Sequence, residues 1–270
     1  MGQPFGPTDA ARWIAVPQEN SDKYSRGVVG FVTGSAVYPG AAVLGVEAAL
    51  HTGVGMVRYL GPGRPTRLVL QRRPEAVTAD GRVQAWVIGS GQSADRDADT
   101  AARLDSALAQ EVPVVLDGGG FDLRDRVAGP CLLTPHAGEL AAILGVDRSA
   151  VGADPEGSAR RAAAQLDAVV LLKGATTRAV TPDGRVLEAS SATPWLATAG
   201  AGDALAGILG ALVATHHERL SADPDALAPL AATAAVLHGL AARRASAGGP
   251  FTVLQLVEAL PAVIAKLLAP

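Results

Sequence analysis

Residues 196–214 read LATAGAGDALAGILGALVA: a run of minimal side chains, Thr198-Ala199-Gly200-Ala201-Gly202-Asp203, leading directly into an apolar helix. Glycine and alanine leave the backbone open to close approach, and the first amides of a helix have no intrahelical acceptor. Successive N–H groups at such a helix start can therefore surround an anion, which the helix dipole favours. A carboxylate directly behind such a hole repels a bound phosphate, yet suits a base for a hydroxyl attacking that phosphate. The plainer reading makes Asp203 an ordinary helix-start charge. No G-x-x-x-x-G-K-[ST] occurs in the chain, so P-loop chemistry has no support.

Working outward, short apolar runs at 28–33, 56–60, 85–88, 112–116, 131–133 and 169–172 are mostly closed by Gly, Asp or Pro and read as buried parallel strands. Helical spacing is expected at 41–52, 98–110, 138–144 and 156–166, and a hairpin at 177–187 folds about Asp183-Gly184. From Asp203 onward the pattern is all helical, near 203–216, 226–246 and 252–268. The alternation predicts an α/β fold, a mostly parallel sheet with helices on both faces, in one domain over 1–270 with residues 1–25 as an N-terminal extension. In such sheets ligands bind beyond the carboxyl ends of the strands.

Of 270 residues, 49% are hydrophobic and 18% charged, which excludes intrinsic disorder. With 23 Lys+Arg against 26 Asp+Glu, the net charge of −3 provides no field for nucleic acid or an anionic membrane. One cysteine, Cys131, permits neither an internal disulfide nor a zinc cluster and points to a reducing, cytoplasmic setting. The start shows no signal-peptide pattern, and the longer apolar stretches are interrupted by Gly, Pro or charge, so a membrane location is not expected.

Three further loops carry candidate chemistry. Gly34 to Ala42 opens a helix with small residues after a strand, either a close-packed turn or a ligand approach. Gly89-Ser90-Gly91-Gln92-Ser93-Ala94 formally matches G-x-G-x-x-A, but the match is weak: the strand lies mid-chain and no strand-end acid follows about 20 residues on. Asp95, Asp97 and Asp99 fail as a calcium loop, since Thr100 and Ser106 occupy the required Gly and Glu positions. Thr134-Pro135-His136-Ala137-Gly138-Glu139 sets an imidazole and a carboxylate at a helix start, as a capping pair or as site residues. His51, His216, His217 and His238 lack metal-ligand spacing and read as structural; Trp86 and Cys131 read as core, and Trp195 as a pocket wall or an exposed aromatic.

Together these loops resemble the ribokinase-like superfamily, a three-layer sandwich, and within it the ADP-dependent (S)-NAD(P)H-hydrate dehydratases in the form without a lid domain. The likeness covers about residues 20–266, through 34–57, VPVVLDGG (112–119), LLTPHAGEL (132–140), VVLLKGATT (169–177), 196–214 and AAVLHGLAA (234–242). It implies Asp203 as the base and the amides of Ala199, Gly200, Ala201 and Gly202 as the anion hole. It implies Lys173, Gly174, Ala175, Thr176, Thr177 and Gly202 at the adenosine nucleotide, and Ala42, Gly91, His136 and Asp203 at the hydrated nicotinamide nucleotide. Glu139 matches an acid that orients a magnesium-bound water in related kinases.

The sequence also departs from the family pattern. Ala199-Gly200-Ala201-Gly202-Asp203 replaces Gly-Gly-Thr/Ser-Gly-Asp, Asp117-Gly118-Gly119 replaces Asp-Ala-Asp, and Gly89-Ser90-Gly91-Gln92-Ser93 replaces Gly-Pro-Gly-Leu-Gly. The activity implied is dehydration of hydrated NADH or NADPH, with ADP or ATP as co-substrate and Mg2+, in a homo-oligomer, a tetramer by resemblance. The epimerase domain of many relatives is not expected in this chain and would act as a separate partner. Two other readings remain: a kinase of a small hydroxymethyl compound such as a vitamin precursor or sugar, and a nucleotide-binding module without catalysis.

Overall fold

In the computed structural model, which describes residues 2–269, the predicted strands line up side by side and are joined by one that was not predicted, β1. They are β1 (Gln3–Pro4), β2 (Val28–Val32), β3 (Met56–Tyr59), β4 (Ala85–Ile88), β5 (Val114–Leu116), β6 (Cys131–Leu133), β7 (Val169–Leu172), β8 (Thr177–Val180) and β9 (Val186–Ala189). Helices are α1 (Pro7–Ala11), α2 (Gly40–Thr52), α3 (Gly63–Arg72), α4 (Ala98–Leu108), α5 (Ala137–Leu144), α6 (Arg148–Ala153), α7 (Pro155–Leu166), α8 (Ala201–Thr215), α9 (His217–Ala222), α10 (Leu227–Ser246) and α11 (Val253–Leu268). The sheet order is β1-β9-β8-β7-β6-β5-β4-β2-β3, parallel except where β8 pairs with β7 and β9.

Strand alternation sorts the core onto two faces. Val29, Phe31, Val87 and Val115 meet α2, α8, α10 and α11, while Val28, Val32, Trp86 and Ile88 meet Leu104 and Leu108 of α4. A smaller cluster seats α5 and α7 over β7 and β8. Helices α2 and α8 pack backbone to backbone, because a Cβ at Gly207 would stand 2.1 Å from Gly45 O. That contact sets the first turn of α8 beside the first turn of α2. The segment 224–246 is apolar and long enough to cross a membrane, but 83% of its hydropathy window is buried here, so it is a core helix.

The first residues of the N-terminal segment pack against this architecture. Gln3 and Pro4 add a parallel edge strand to β9, Ala10 is fully buried, and Trp13 lies under the Arg219 guanidinium at 3.6 Å.

Candidate active site

The strand ends deliver their loops to one rim. After β7, the Lys173 amide donates to Pro135 O (2.8 Å), locking the β7 loop to the β6 loop. Lys173 Nζ then lies 3.0 Å from Asp117 Oδ1 and 3.8 Å from Glu139 Oε2. Asp117, at the end of β5 and 5% exposed, also accepts from Ser90 Oγ (2.8 Å) and Thr134 Oγ1 (2.5 Å). Four consecutive strand ends, from β4 through β5 and β6 to β7, are thus joined through one carboxylate.

Gly200 starts α8 with φ +89°, a left-handed conformation natural to glycine. The Ala201 amide makes a long bond to Thr198 O (3.4 Å), while the Ala199 and Gly200 amides before it and the Gly202 and Asp203 amides after it have no acceptor among the described residues, as a helix start leaves them. A Cβ at Gly202 would stand 3.4 Å from Lys173 Nζ, which places the ammonium at the mouth of the hole. Among the described residues the Asp203 carboxylate receives no hydrogen bond. Burial, with the charge of Asp117 added and Lys173 partly opposing, raises its pKa to about 6.

A cavity of about 760 Å³ opens beside this turn, with Lys173, Gly174, Ala175 and Thr177 on one side and Thr198, Ala201, Gly202 and Leu205 on the other. Thr176 is not in its wall; its hydroxyl faces Ser190 Oγ at 3.3 Å. Trp195 is half exposed and outside the wall, although its neighbours Pro194 and Leu196 line it, so of the two readings the exposed one holds. His136 shares this wall with Lys173 and is not grouped with Ala42 and Gly91. Its Nδ1 accepts from the Gly138 and Glu139 amides while Glu139 Oε2 accepts from the His136 amide, a capping box that holds α5.

Ala42 is fully buried, backbone included, in the first turn of α2, and reaches the rim only through its neighbours. Gly91 lies against that terminus: a Cβ there would stand 2.6 Å from Ala41 Cβ and 2.9 Å from Tyr38 O.

Two cavity residues escaped the sequence reading besides the Asp117 junction. Arg148 stands on the rim from α6. His238 of α10, read as structural, lines the cavity with Nε2 unpartnered, and burial lowers its pKa to about 4, so it is neutral at physiological pH. His51, His216 and His217 instead bond backbone carbonyls within their own helical regions, as a structural role requires. Among the described residues no cluster of three His, Cys, Asp or Glu could hold a metal ion alone. The fit is to a magnesium ion carried mainly by phosphate oxygens and water, which takes only one or two protein carboxylates.

The family profile described as NAD(P)H-hydrate dehydratase matches residues 29–261. The bifunctional NAD(P)H-hydrate repair enzyme Nnr of Mycobacterium tuberculosis is 45% identical over 224 residues, 78% of this chain and 46% of the relative. This chain spans about half the length of the bifunctional relatives it matches. The ADP-dependent (S)-NAD(P)H-hydrate dehydratase of Xanthomonas campestris is 36% identical, covering 79% of this chain and 81% of that one. Among solved structures, the ADP/ATP-dependent NAD(P)H-hydrate dehydratase of Bacillus subtilis, co-crystallized with ATP/Mg2+, superposes with a TM-score of 0.85 at 27% identity over 99% of both chains. A ribokinase-like superfamily protein of Enterococcus faecalis shares the fold at a TM-score of 0.84 and 21% identity. A profile match over most of the chain, a 36% identical relative covered over four fifths of its length, and a fold that superposes on the Bacillus subtilis enzyme over 99% of both chains make this chain a member of the NAD(P)H-hydrate dehydratase family.

Proposed function

We propose that the chain dehydrates the S form of hydrated NADH or NADPH, using ADP or ATP to convert the ring hydroxyl into a better leaving group. The observation that carries this reading is Asp203, a carboxylate with a pKa raised to about 6 in the first turn of α8, within the field of Lys173 and next to Gly202, which Lys173 Nζ approaches. At neutral pH it is mostly ionised and basic enough to accept the hydroxyl proton. The hydroxyl oxygen attacks the terminal phosphorus, its proton passes to Asp203, and the bond from that phosphorus to the nucleotide breaks. The ring C–O bond then breaks, phosphate departs, and the ring loses a proton as its double bond returns. Hydrate and ADP thus yield the reduced nicotinamide nucleotide, AMP and phosphate.

The amides of Ala199, Gly200, Ala201 and Gly202, with the Asp203 amide next in line, hold the transferring phosphoryl group, and Lys173 balances its charge. Lys173, Gly174, Ala175 and Thr177 face the nucleotide, and His238 adds a neutral polar wall. His136 stands where the two ligands meet, and the turn around Ala42 and Gly91 faces the hydrate. When bound with the nucleotide, magnesium would supply charge neutralisation to the phosphates, and Glu139 is the rim carboxylate that would hold it through water. Lone, buried Cys131 fits a cytoplasmic setting, and the second activity of the bifunctional relatives is in keeping with an epimerase as the partner activity that supplies the S form. A homo-oligomer completes the reading.

Incubating the protein with hydrated NADH, Mg2+ and either ADP or ATP, and following the reduced-nicotinamide absorbance, tests the reaction. A stable phosphorylated product in place of restored NADH would identify a kinase, and tight AMP binding without turnover a non-catalytic module.

A further inference from the structure

At the end of edge strand β3 a second cavity of about 510 Å³ opens, walled by Tyr59, Gly63, Thr66, Arg67, Asp80 and Arg103. It shares no lining residue with the cleft beside Asp203. Its walls are set before any ligand arrives. Tyr59 donates its hydroxyl to Thr33 O (2.6 Å), Arg103 is anchored on the Leu60 and Gly61 carbonyls, and Arg58 fastens the opposite rim through Ala79 O (2.9 Å) and Asp80 O (3.3 Å). Among the described residues the Arg67 guanidinium has no ion-pair or hydrogen-bond partner, and neither has the Asp80 carboxylate. Two guanidinium groups against one carboxylate leave the cavity net positive in a protein whose overall charge is −3. Helix α3, which begins here, has no side-chain cap, so its first amides add to that character.

The cavity also lies in line with the active site. The sheet order β5-β4-β2-β3 carries the rim from Asp117 to Ser90, whose carbonyl accepts the Gly34 amide (2.7 Å), and on to Arg64, whose guanidinium donates to Ala36 O (2.8 Å). Three strand spacings separate β5 from β3, about 14 Å, within the reach of a dinucleotide lying along the strand ends.

We propose that this cavity binds a phosphate on the distal ribose of the dinucleotide, with Arg67 and Arg103 favouring hydrated NADPH over hydrated NADH. The inference rests on the dehydratase reading for the dinucleotide itself. Guanidinium groups grip phosphate oxygens through charge-assisted, often paired hydrogen bonds, whereas Asp80 opposes a phosphate and suits a ribose hydroxyl.

The test is Arg67→Gln, an exposed change that breaks no contact, set against Asp80→Asn. In Arg67→Gln the ratio of KM for hydrated NADPH to KM for hydrated NADH rises about tenfold, the effect of one exposed charged hydrogen bond; in Asp80→Asn it falls. Calorimetric titration with NADPH and with NADH, the cleft saturated with AMP, reads the cavity without catalysis: the intact chain binds NADPH more tightly, and Arg67→Gln removes the difference. Equal affinity for the two in the intact chain, or equal weakening of both by Arg67→Gln, overturns the proposal. Absence of turnover with either hydrate would instead count against the dehydratase reading, and the titration would still decide the cavity.

Discussion

Replacing Asp203 by asparagine should make the protein more stable while removing its activity. In an unfolded chain this carboxyl titrates at the ordinary 3.8; in the fold it titrates at about 6, raised by burial and then by Asp117. The fold therefore prefers the protonated form, and the stability tied to that preference is complete below pH 4 and lost as pH rises through 6. A shift of about two units at about 1.4 kcal/mol each sets a ceiling of about 3 kcal/mol. Asparagine keeps the shape and never ionises. Urea denaturation of nucleotide-free Asp203→Asn and wild type should show a gap favouring the variant, well under 1 kcal/mol at pH 4 and widening to about 1–3 kcal/mol at pH 8, with equal m-values. Turnover should fall about 10²- to 10⁴-fold, the share general-base catalysis supplies. A gap independent of pH, or a variant less stable than wild type at pH 8, would refute the claim that Asp203 is held at the site against a desolvation penalty.

The acidic limb of kcat/KM should centre near pH 6, and Asp117→Asn should move it to lower pH, since the charge that raises Asp203 is removed and Lys173 is freed to lower it; a limb that stays in place would contradict this. Gly202→Val puts a branched side chain where a Cβ already approaches Lys173 Nζ to 3.4 Å, so turnover should vanish with helical circular dichroism unchanged, whereas Ala201→Thr beside intact amides should change turnover by less than about tenfold. His136→Ala should raise KM for the hydrate and leave AMP affinity nearly as it was in calorimetry; an equal loss of AMP affinity would place His136 on the nucleotide. Trp195→Ala should leave AMP affinity within about twofold, because that ring is half exposed and outside the cavity wall.

The strands were legible because each is a short apolar run buried on both faces, and the observed 85–88, 131–133 and 169–172 coincide with the sequence reading. The hairpin about Asp183-Gly184 was legible from its turn, where Gly184 has φ +87°. Helix α3 was not, since GRPTRLVLQR carries two arginines and a proline in its first five residues and buries only Pro65 and Val69. Strand β1 was not either: two exposed residues become a strand only because β9, more than 180 positions later, offers an open edge. At the site, the glycine-rich turn and Asp203 were visible as local pattern. The Asp117–Lys173 pair joins positions 56 apart and His238 reaches the cavity from a distant helix, so no local window contains either.

The departures from the family pattern, separate in sequence, meet in space. A Cβ at Gly119 would stand 2.2 Å from Gln92 O, and one at Gly89 would stand 2.2 Å from the Gly120 amide. The 89–93 and 118–120 loops therefore pack backbone against backbone, and no side chain fits at 119 where the family carries its second acid. Arg96 reinforces the contact by donating to Gly119 O and to both Asp122 oxygens. Ser90, standing where the family has proline, supplies a hydroxyl to Asp117 that a proline could not. The acid lost at 119 and the hydroxyl gained at 90 thus belong to one rearranged contact that leaves Asp117 fully bonded and Lys173 anchored. With those two groups in place, the field that sets the pKa of Asp203 is retained, and the changed motifs argue for an altered substrate-side wall and not for a dead site.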